Sequence, residues 1–250
     1  MCLILFGYRT EPDLPLVVAA NRDEFHARRT AVADFWSDHP QVLAGRDLVA
    51  GGTWLGCTRG GRFAALTNFS DPDAAPAARS RGLLVQDFLT GVGSAQAYAQ
   101  QIATAEYAGF NLLLFDGQDM VYTSNRAATQ VLQPGFYGLT NAALDARWPK
   151  AVQGAARLRQ TVAQAFCTQD LLEVLCDTTV PDDDDLPCRG RPLDLERQVS
   201  PCFITGQEYG TRASTGVIFG HTELRFSEQS YAASGVATAR VDHRFEIARP

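Results

Sequence analysis

The cysteine at position 2 is the residue of this 250-residue chain whose type and place could do the most chemistry. Methionine followed by a small residue is a terminus that methionine aminopeptidase trims, and trimming would leave Cys2 with a free α-amine. An α-amine titrates near ~8 and a thiol near ~8.5. One residue would then hold nucleophile and base together, the arrangement of N-terminal nucleophile catalysis. The competing reading is a small apolar residue filling a strand position. Other residues offer less. Ser214 has no G-x-S-x-G elbow around it, and Gly91-Val92-Gly93 is neither a dinucleotide fingerprint nor a phosphate loop. The six cysteines form no C-x-x-C pair and the four histidines are scattered, so no metal site is expected. The aspartate run within residues 180–192 reads as a solvated loop, because its acids are adjacent rather than alternating and no glycine turns it toward calcium.

Positioning Cys2 falls to the elements around it. Residues 2–8 are a continuous apolar run of strand type, residues 10–15 carry turn chemistry, and residues 16–21 are a second apolar run, so the chain opens on an antiparallel hairpin. Strands are expected again at 54–58 and 62–68 around a Gly60-Gly61 turn, then at 111–115, 120–124, 136–140, 203–205, 213–219 and 223–227. Helical spacing marks 81–90, 96–105, 145–166 and 170–176. Strand runs separated by helix pairs predict antiparallel sheets with helices packed outside, and no linker or repeat divides residues 1–250 into more than one domain.

Composition narrows the function classes. Hydrophobic residues make up 46% and charged residues 20%, which excludes a disordered chain. A net charge of −6 without a basic run argues against nucleic acid as a partner. The longest apolar stretches fall far short of the ~20 residues a bilayer needs, so no stable membrane insertion is expected. No basic segment precedes the first apolar run, so a secretory leader is not expected. Cytoplasmic residence with reduced thiols follows as the expectation. Lys150 is the sole lysine; the remaining positive charge is arginine.

Ordered motifs then point to a family. Asn21-Arg22-Asp23-Glu24-Phe25 is followed by Asp34-Phe35-Trp36, Gly51-Gly52-Thr53-Trp54-Leu55-Gly56 and Ala65-Leu66-Thr67-Asn68-Phe69. Arg81-Gly82, Gly109-Phe110-Asn111-Leu112, Tyr137-Gly138-Leu139-Thr140-Asn141, Trp148-Pro149-Lys150 and Tyr209-Gly210-Thr211-Arg212 continue the pattern. The chain thereby resembles the NRDE family, the family of the transport-and-Golgi-organisation proteins. The resemblance implies an α+β fold, a four-layer αββα sandwich of two antiparallel sheets of the N-terminal nucleophile hydrolase type. Superfamily members that use cysteine cleave non-peptide amide bonds and carry an R-N-x-D segment a hairpin's length after the cysteine. The gap-free match here is Asn21-Arg22-Asp23-Glu24, a departure: Asn21 stands at the arginine's place and Glu24 at the aspartate's. Arg22, one place on, would supply the cation if the strand end were bulged or its register shifted.

The resemblance also implies roles for two strand-terminal asparagines. Asn68 is similar to the residue that helps form an oxyanion hole, and Asn141 to the one that completes the hole or holds the nucleophile's amine. Arg22, Asp23 and Glu24 read either as a charge cluster tuning the thiol and an anionic substrate, or as a salt-bridged strand end. Arg212 could bind a substrate carboxylate or phosphate, or stabilise a loop. Trp54 reads as pocket wall or core. Two functions follow as expectations: a cysteine amidohydrolase on a small-molecule amide needing no cofactor, with Cys2, Asn21, Arg22, Glu24, Asn68 and Asn141 catalytic and Trp54 and Arg212 binding substrate, or a non-catalytic carrier. For the carrier, the family's association with haem trafficking and lipid metabolism implies a haem- or lipid-like ligand.

Overall fold

In the computed structural model, which describes residues 2–70, 77–187 and 189–248, two antiparallel sheets face each other. The chain begins with β1 (Cys2–Glu11) and β2 (Leu14–Phe25), continues through β3 (Thr30–Phe35), β4 (Val42–Asp47), β5 (Leu55–Thr58) and β6 (Phe63–Asn68), and then forms α1 (Gly82–Thr90) and α2 (Ala95–Gln101). Next come β7 (Phe110–Phe115), β8 (Met120–Ser124), β9 (Gln130–Val131) and β10 (Gly135–Leu139), then α3 (Pro149–Val162), α4 (Thr168–Val174) and α5 (Leu193–Val199). Three strands finish it: β11 (Tyr209–Phe219), β12 (Glu223–Tyr231) and β13 (Ala237–Glu246). One sheet runs β10-β1-β2-β11-β12-β13 and the other β3-β4-β5-β6-β7-β8-β9.

Strand periodicity sorts the apolar residues into three layers of core. Ile4, Phe6, Val18 and Ala20 point between the sheets and meet Leu55, Phe63, Ala65 and Leu113. Leu3, Leu5, Val17 and Ala19 point the other way, onto α3 and α4 through Ala151, Leu158 and Leu171. Across the molecule Ala64, Leu66, Leu112 and Leu114 cover α1 through Leu84, Val85 and Phe88 and α2 through Ala95 and Ala99. The order is helix, sheet, sheet, helix: the αββα sandwich. The apolar run at residues 2–8 thus reflects a strand buried on both faces.

The boundaries differ from the expected ones in informative places. β3, β4, β9, β13 and α5 carry too little apolar alternation to be read; β13 is exposed along most of one face as a sheet edge. The expected helix over 145–166 begins at Pro149, whose fixed φ suits a first turn. Residues 203–205 form no strand. Cys188 and the residues at 71–76 lie outside the described residues.

Gly52 shows why the Gly-Gly pair matters. A Cβ there would sit 2.6 Å from the Gly82 carbonyl oxygen, against the backbone at the start of α1. Gly52→Ala is expected to cost about 1–3 kcal/mol of stability, read as a lowered urea midpoint with an unchanged slope.

Candidate active site

Cys2 is half-buried at the N-terminal end of β1 and lines a cavity of about 360 Å³. Its register partner on β2 is Arg22. Directly opposed residues in an antiparallel pair share a face, so both point between the sheets. The β1–β2 ladder runs without interruption from Cys2↔Arg22 to Tyr8↔Leu16. Register shifts lie at the hairpin end, between Tyr8 and Glu11, and in the β2–β11 pair, between Thr211 and Ala213 opposite Asp23 and Arg22. Arg22 therefore stands beside Cys2 with no bulge of its own strand.

Asn21 is a correction. It pairs with Leu3 and faces the helix layer, fully buried. Its Nδ2 donates to the Leu175 and Cys202 carbonyls at 3.1 and 2.9 Å, and its Oδ1 accepts from Ser214 Oγ at 2.6 Å. Asn21 ties the sheet to its helices and reaches neither cavity near Cys2. Two residues further stands Asp23, which the sequence offered only as part of the Arg22-Asp23-Glu24 charge cluster. It lines the cavity, and its Oδ1 accepts from Thr211 Oγ1 at 2.8 Å. Glu24 lines the cavity too, with its Oε2 3.7 Å from Arg22 and 3.9 Å from Arg28.

The Tyr209-Gly210-Thr211-Arg212 segment braces this strand end. Tyr209 donates to the Asp23 carbonyl at 3.1 Å, and Arg212 Nη1 donates to the carbonyls of Phe25, His26 and Arg28 at 2.9, 3.0 and 3.0 Å. Arg212 therefore stabilises the loop after β2 while also lining the cavity. Trp54 is likewise both cavity wall and partly buried core.

Asn141 meets Cys2 directly. Its Oδ1 accepts from the Cys2 backbone nitrogen at 3.1 Å and its Nδ2 donates to the Asn68 carbonyl at 2.7 Å. Those partners fix the amide orientation, since an N–H needs the oxygen and a carbonyl needs the nitrogen. With both ends engaged, Asn141 is suited to holding the Cys2 nitrogen rather than to meeting a further acceptor. Asn68 is exposed at the end of β6 and lines both this cavity and a neighbouring one of about 880 Å³.

A buried network locks Asn141 in place. Tyr122 donates to Asn111 Oδ1 at 2.8 Å; Asn111 Nδ2 donates to Thr67 Oγ1 at 3.1 Å and to the Ala142 carbonyl at 2.8 Å. Thr67 Oγ1 donates in turn to the Thr140 carbonyl. These bonds staple the chain after β10 to β6 and β7 across the two sheets. Asn111→Ala leaves several buried groups unpaired and is expected to cost about 1–3 kcal/mol, measured by thermal unfolding.

Electrostatics set the resting state of the site. Burial pushes the Cys2 thiol above its ordinary value, the Asp23 charge adds to the rise, and Arg22 opposes it. Burial also pushes Asp23 up, against the pull of Lys150, the Thr211 hydrogen bond and Arg22. Lys150 is buried behind the strand, its Nζ donating to the Val199 and Pro201 carbonyls at 3.0 and 3.3 Å. A thiol with a raised pKa stays protonated at neutral pH and needs a base. Iodoacetamide labelling of Cys2 is expected to accelerate only above the ~8.5 of a free cysteine. Arg22→Gln moves that midpoint further up by removing the cation that opposes the rise; peptide-resolved mass spectrometry over a pH series reads both.

Two antiparallel sheets between helix layers, with the chain's second residue at a cavity on a sheet end, define the N-terminal nucleophile hydrolase fold. A solved N-acylethanolamine-hydrolyzing acid amidase orthologue from Caenorhabditis elegans shares it, with a TM-score of 0.51 at 15% identity over 72% of this chain and 87% of that one. Within that fold the chain belongs to the Transport and Golgi organisation 2 family, whose profile matches residues 1–233. The Mus musculus Transport and Golgi organization 2 homolog is 34% identical over 258 residues, covering 92% of this chain and 93% of the relative. The Homo sapiens homolog is 34% identical over 260 residues, with the same shares of 92% and 93%.

Proposed function

We propose that this chain is an N-terminal cysteine amidohydrolase that cleaves a non-peptide C–N amide bond. The observation that carries the reading is the Cys2 nitrogen held by Asn141 at 3.1 Å, at the rim of a cavity that also holds Arg22. Once Met1 is removed, that nitrogen is an amine, with one hydrogen on Asn141 Oδ1 and a lone pair free for the thiol proton. Sγ gives its proton to the amine and attacks the carbonyl carbon. The oxyanion gathers the Asn68 amide, and such a donor is worth about 10²–10³ in rate. The C–N bond breaks as the amine passes the proton to the leaving nitrogen. Water, deprotonated by the same amine, then attacks the thioester carbon; the C–S bond breaks, the acid leaves and the amine returns the proton to Sγ. Arg22 favours the thiolate as it forms, Glu24 orients Arg22, and Trp54 and Arg212 line the substrate's space.

A carrier without catalysis is the second reading, favoured by the apolar portion of the larger cavity around Phe69, Leu195 and Val199. Its ligand in that reading is an acyl chain or a haem-like molecule lying along these apolar walls. The setting proposed for either activity is the cytoplasm, where thiols stay reduced. No helix of the described residues is long and apolar enough to cross a membrane. The test is a panel of fluorogenic acyl amides offered to the native protein and Cys2→Ala. Turnover by the native protein alone supports the hydrolase; ligand binding by both without product supports the carrier.

A further inference from the structure

We propose that the cavity beside Cys2 binds an oxyanion group, a carboxylate or phosphate carried by the amide substrate, through Arg22, Arg81 and Arg212. The substrate's apolar portion then runs into the larger cavity. This rests on the reading of Cys2 as an amide-cleaving nucleophile and names the class of amide.

Five arginines and four carboxylates line the smaller cavity. Most are already matched. Arg28 is bonded to Asp47 at 2.7 and 2.9 Å, and Arg46 to Asp38, outside the cavity, at 2.7 and 2.9 Å. Glu228 takes the Ala33 N–H at 2.9 Å and the Thr215 hydroxyl at 3.4 Å, while Asp23 takes Thr211. That leaves Arg22, Arg81 and Arg212 without a close carboxylate partner: the nearest ion pair among them is Arg22 with Glu24 at 3.7 Å, and Glu24 is shared with Arg28 at 3.9 Å.

Two of the three carry a buried donor with no hydrogen-bond partner among the described residues. Arg22 is 9% exposed, approaches Glu24 no closer than 3.7 Å, and its Nη1 is buried without a hydrogen-bond partner among the described residues. Arg212 Nε is in the same condition. Arg81 spends one nitrogen on the Gly109 carbonyl at 3.0 Å. Arginine stays charged when desolvated, so it does not escape the cost of burial by losing a proton. Unpaired buried donors of charged groups are expensive, and a planar oxyanion is the partner that satisfies guanidinium forks best.

The two cavities share Asp23, Glu24, Asn68 and Arg81 as walls. A ligand spanning both passes the Asn68 amide, with Cys2 lining the arginine side and Phe69, Leu195 and Val199 the other. The arrangement fits an amphiphile with its charge at the leaving-group end and its chain at the acyl end.

The test uses Cys2→Ala protein, which binds without turnover, and three probes that share a dodecanoyl amide: N-dodecanoylglycine, N-dodecanoyl-O-phosphoethanolamine and N-dodecanoylethanolamine. Calorimetric titration is expected to show an anionic probe binding about ten-fold or more tightly than the neutral one. Whichever of the two anionic probes leads identifies carboxylate or phosphate. Adding Arg81→Gln should erase the preference and Arg81→Lys should keep part of it. Equal binding of the three probes, binding of none, or a preference untouched by Arg81→Gln in folded protein overturns the proposal. Selective binding of the anionic probes without any product from the native protein leaves the oxyanion site standing and removes the hydrolase reading instead.

Discussion

Cys2→Ala is expected to lower amide cleavage by on the order of 10⁴-fold or more, the scale on which nucleophile removal acts in covalent hydrolases. The sulfur is the only part of the residue the substitution removes, so the strand pairing Cys2↔Arg22 and the backbone bond to Asn141 both persist. Because the side chain is half-buried at a cavity, the change in stability should stay within ~1 kcal/mol. Activity and stability are thereby separated: product release collapses while the unfolding midpoint holds. Cys2→Ser keeps the shape and replaces a thiol by a far weaker acid, so it should rescue little. A Cys2→Ala protein that retains substantial turnover would place the nucleophile elsewhere.

Asn141→Ala should cost about 10²–10³ in kcat, with a smaller change in KM. Its amide carries two tasks: it fixes the Cys2 nitrogen and it pulls the Asn68 backbone into line through a 2.7 Å bond. Losing both lets the base and the oxyanion donor drift together. Asn141→Asp separates the tasks, because it keeps the acceptor for the Cys2 nitrogen and loses the donor to Asn68. The aspartate variant should therefore fall between native and alanine. Steady-state kinetics of the three proteins on one amide reads the order. An alanine variant with native kcat would show that Asn141 serves structure alone.

The layers of this fold were legible because both-face-buried strands such as β1 and β7 leave uninterrupted apolar runs, and their order with the helices dictates the sandwich. The parity of the β2 residues was not. Spacing alone cannot say whether Asn21 or Arg22 opposes Cys2, since the hairpin register slips between Tyr8 and Glu11, where Arg9 adopts φ 48°. A one-residue slip exchanges the faces of the whole strand, so Asn21 went to the helices and Arg22 to the cavity. Arg81 illustrates a second limit. Its motif with Gly82 was visible, yet its place in the cavity wall accompanies the close approach of Gly52 and Gly82, which no local pattern encodes. The bracing of Asp23 by Thr211 joins strands 188 residues apart in sequence and was equally out of local reach.

The central claim is that the sulfur of a processed, amino-terminal Cys2 forms a bond to the substrate's acyl group. Intact-mass spectrometry of the native protein, quenched in acid during turnover of an acyl p-nitroanilide, tests it most directly. The account predicts a chain lacking Met1 that gains the mass of one acyl group, with peptide mapping assigning the gain to Cys2 and none appearing on Cys2→Ala. A chain that turns the substrate over while keeping Met1, or that carries the acyl group on any other residue, would contradict it.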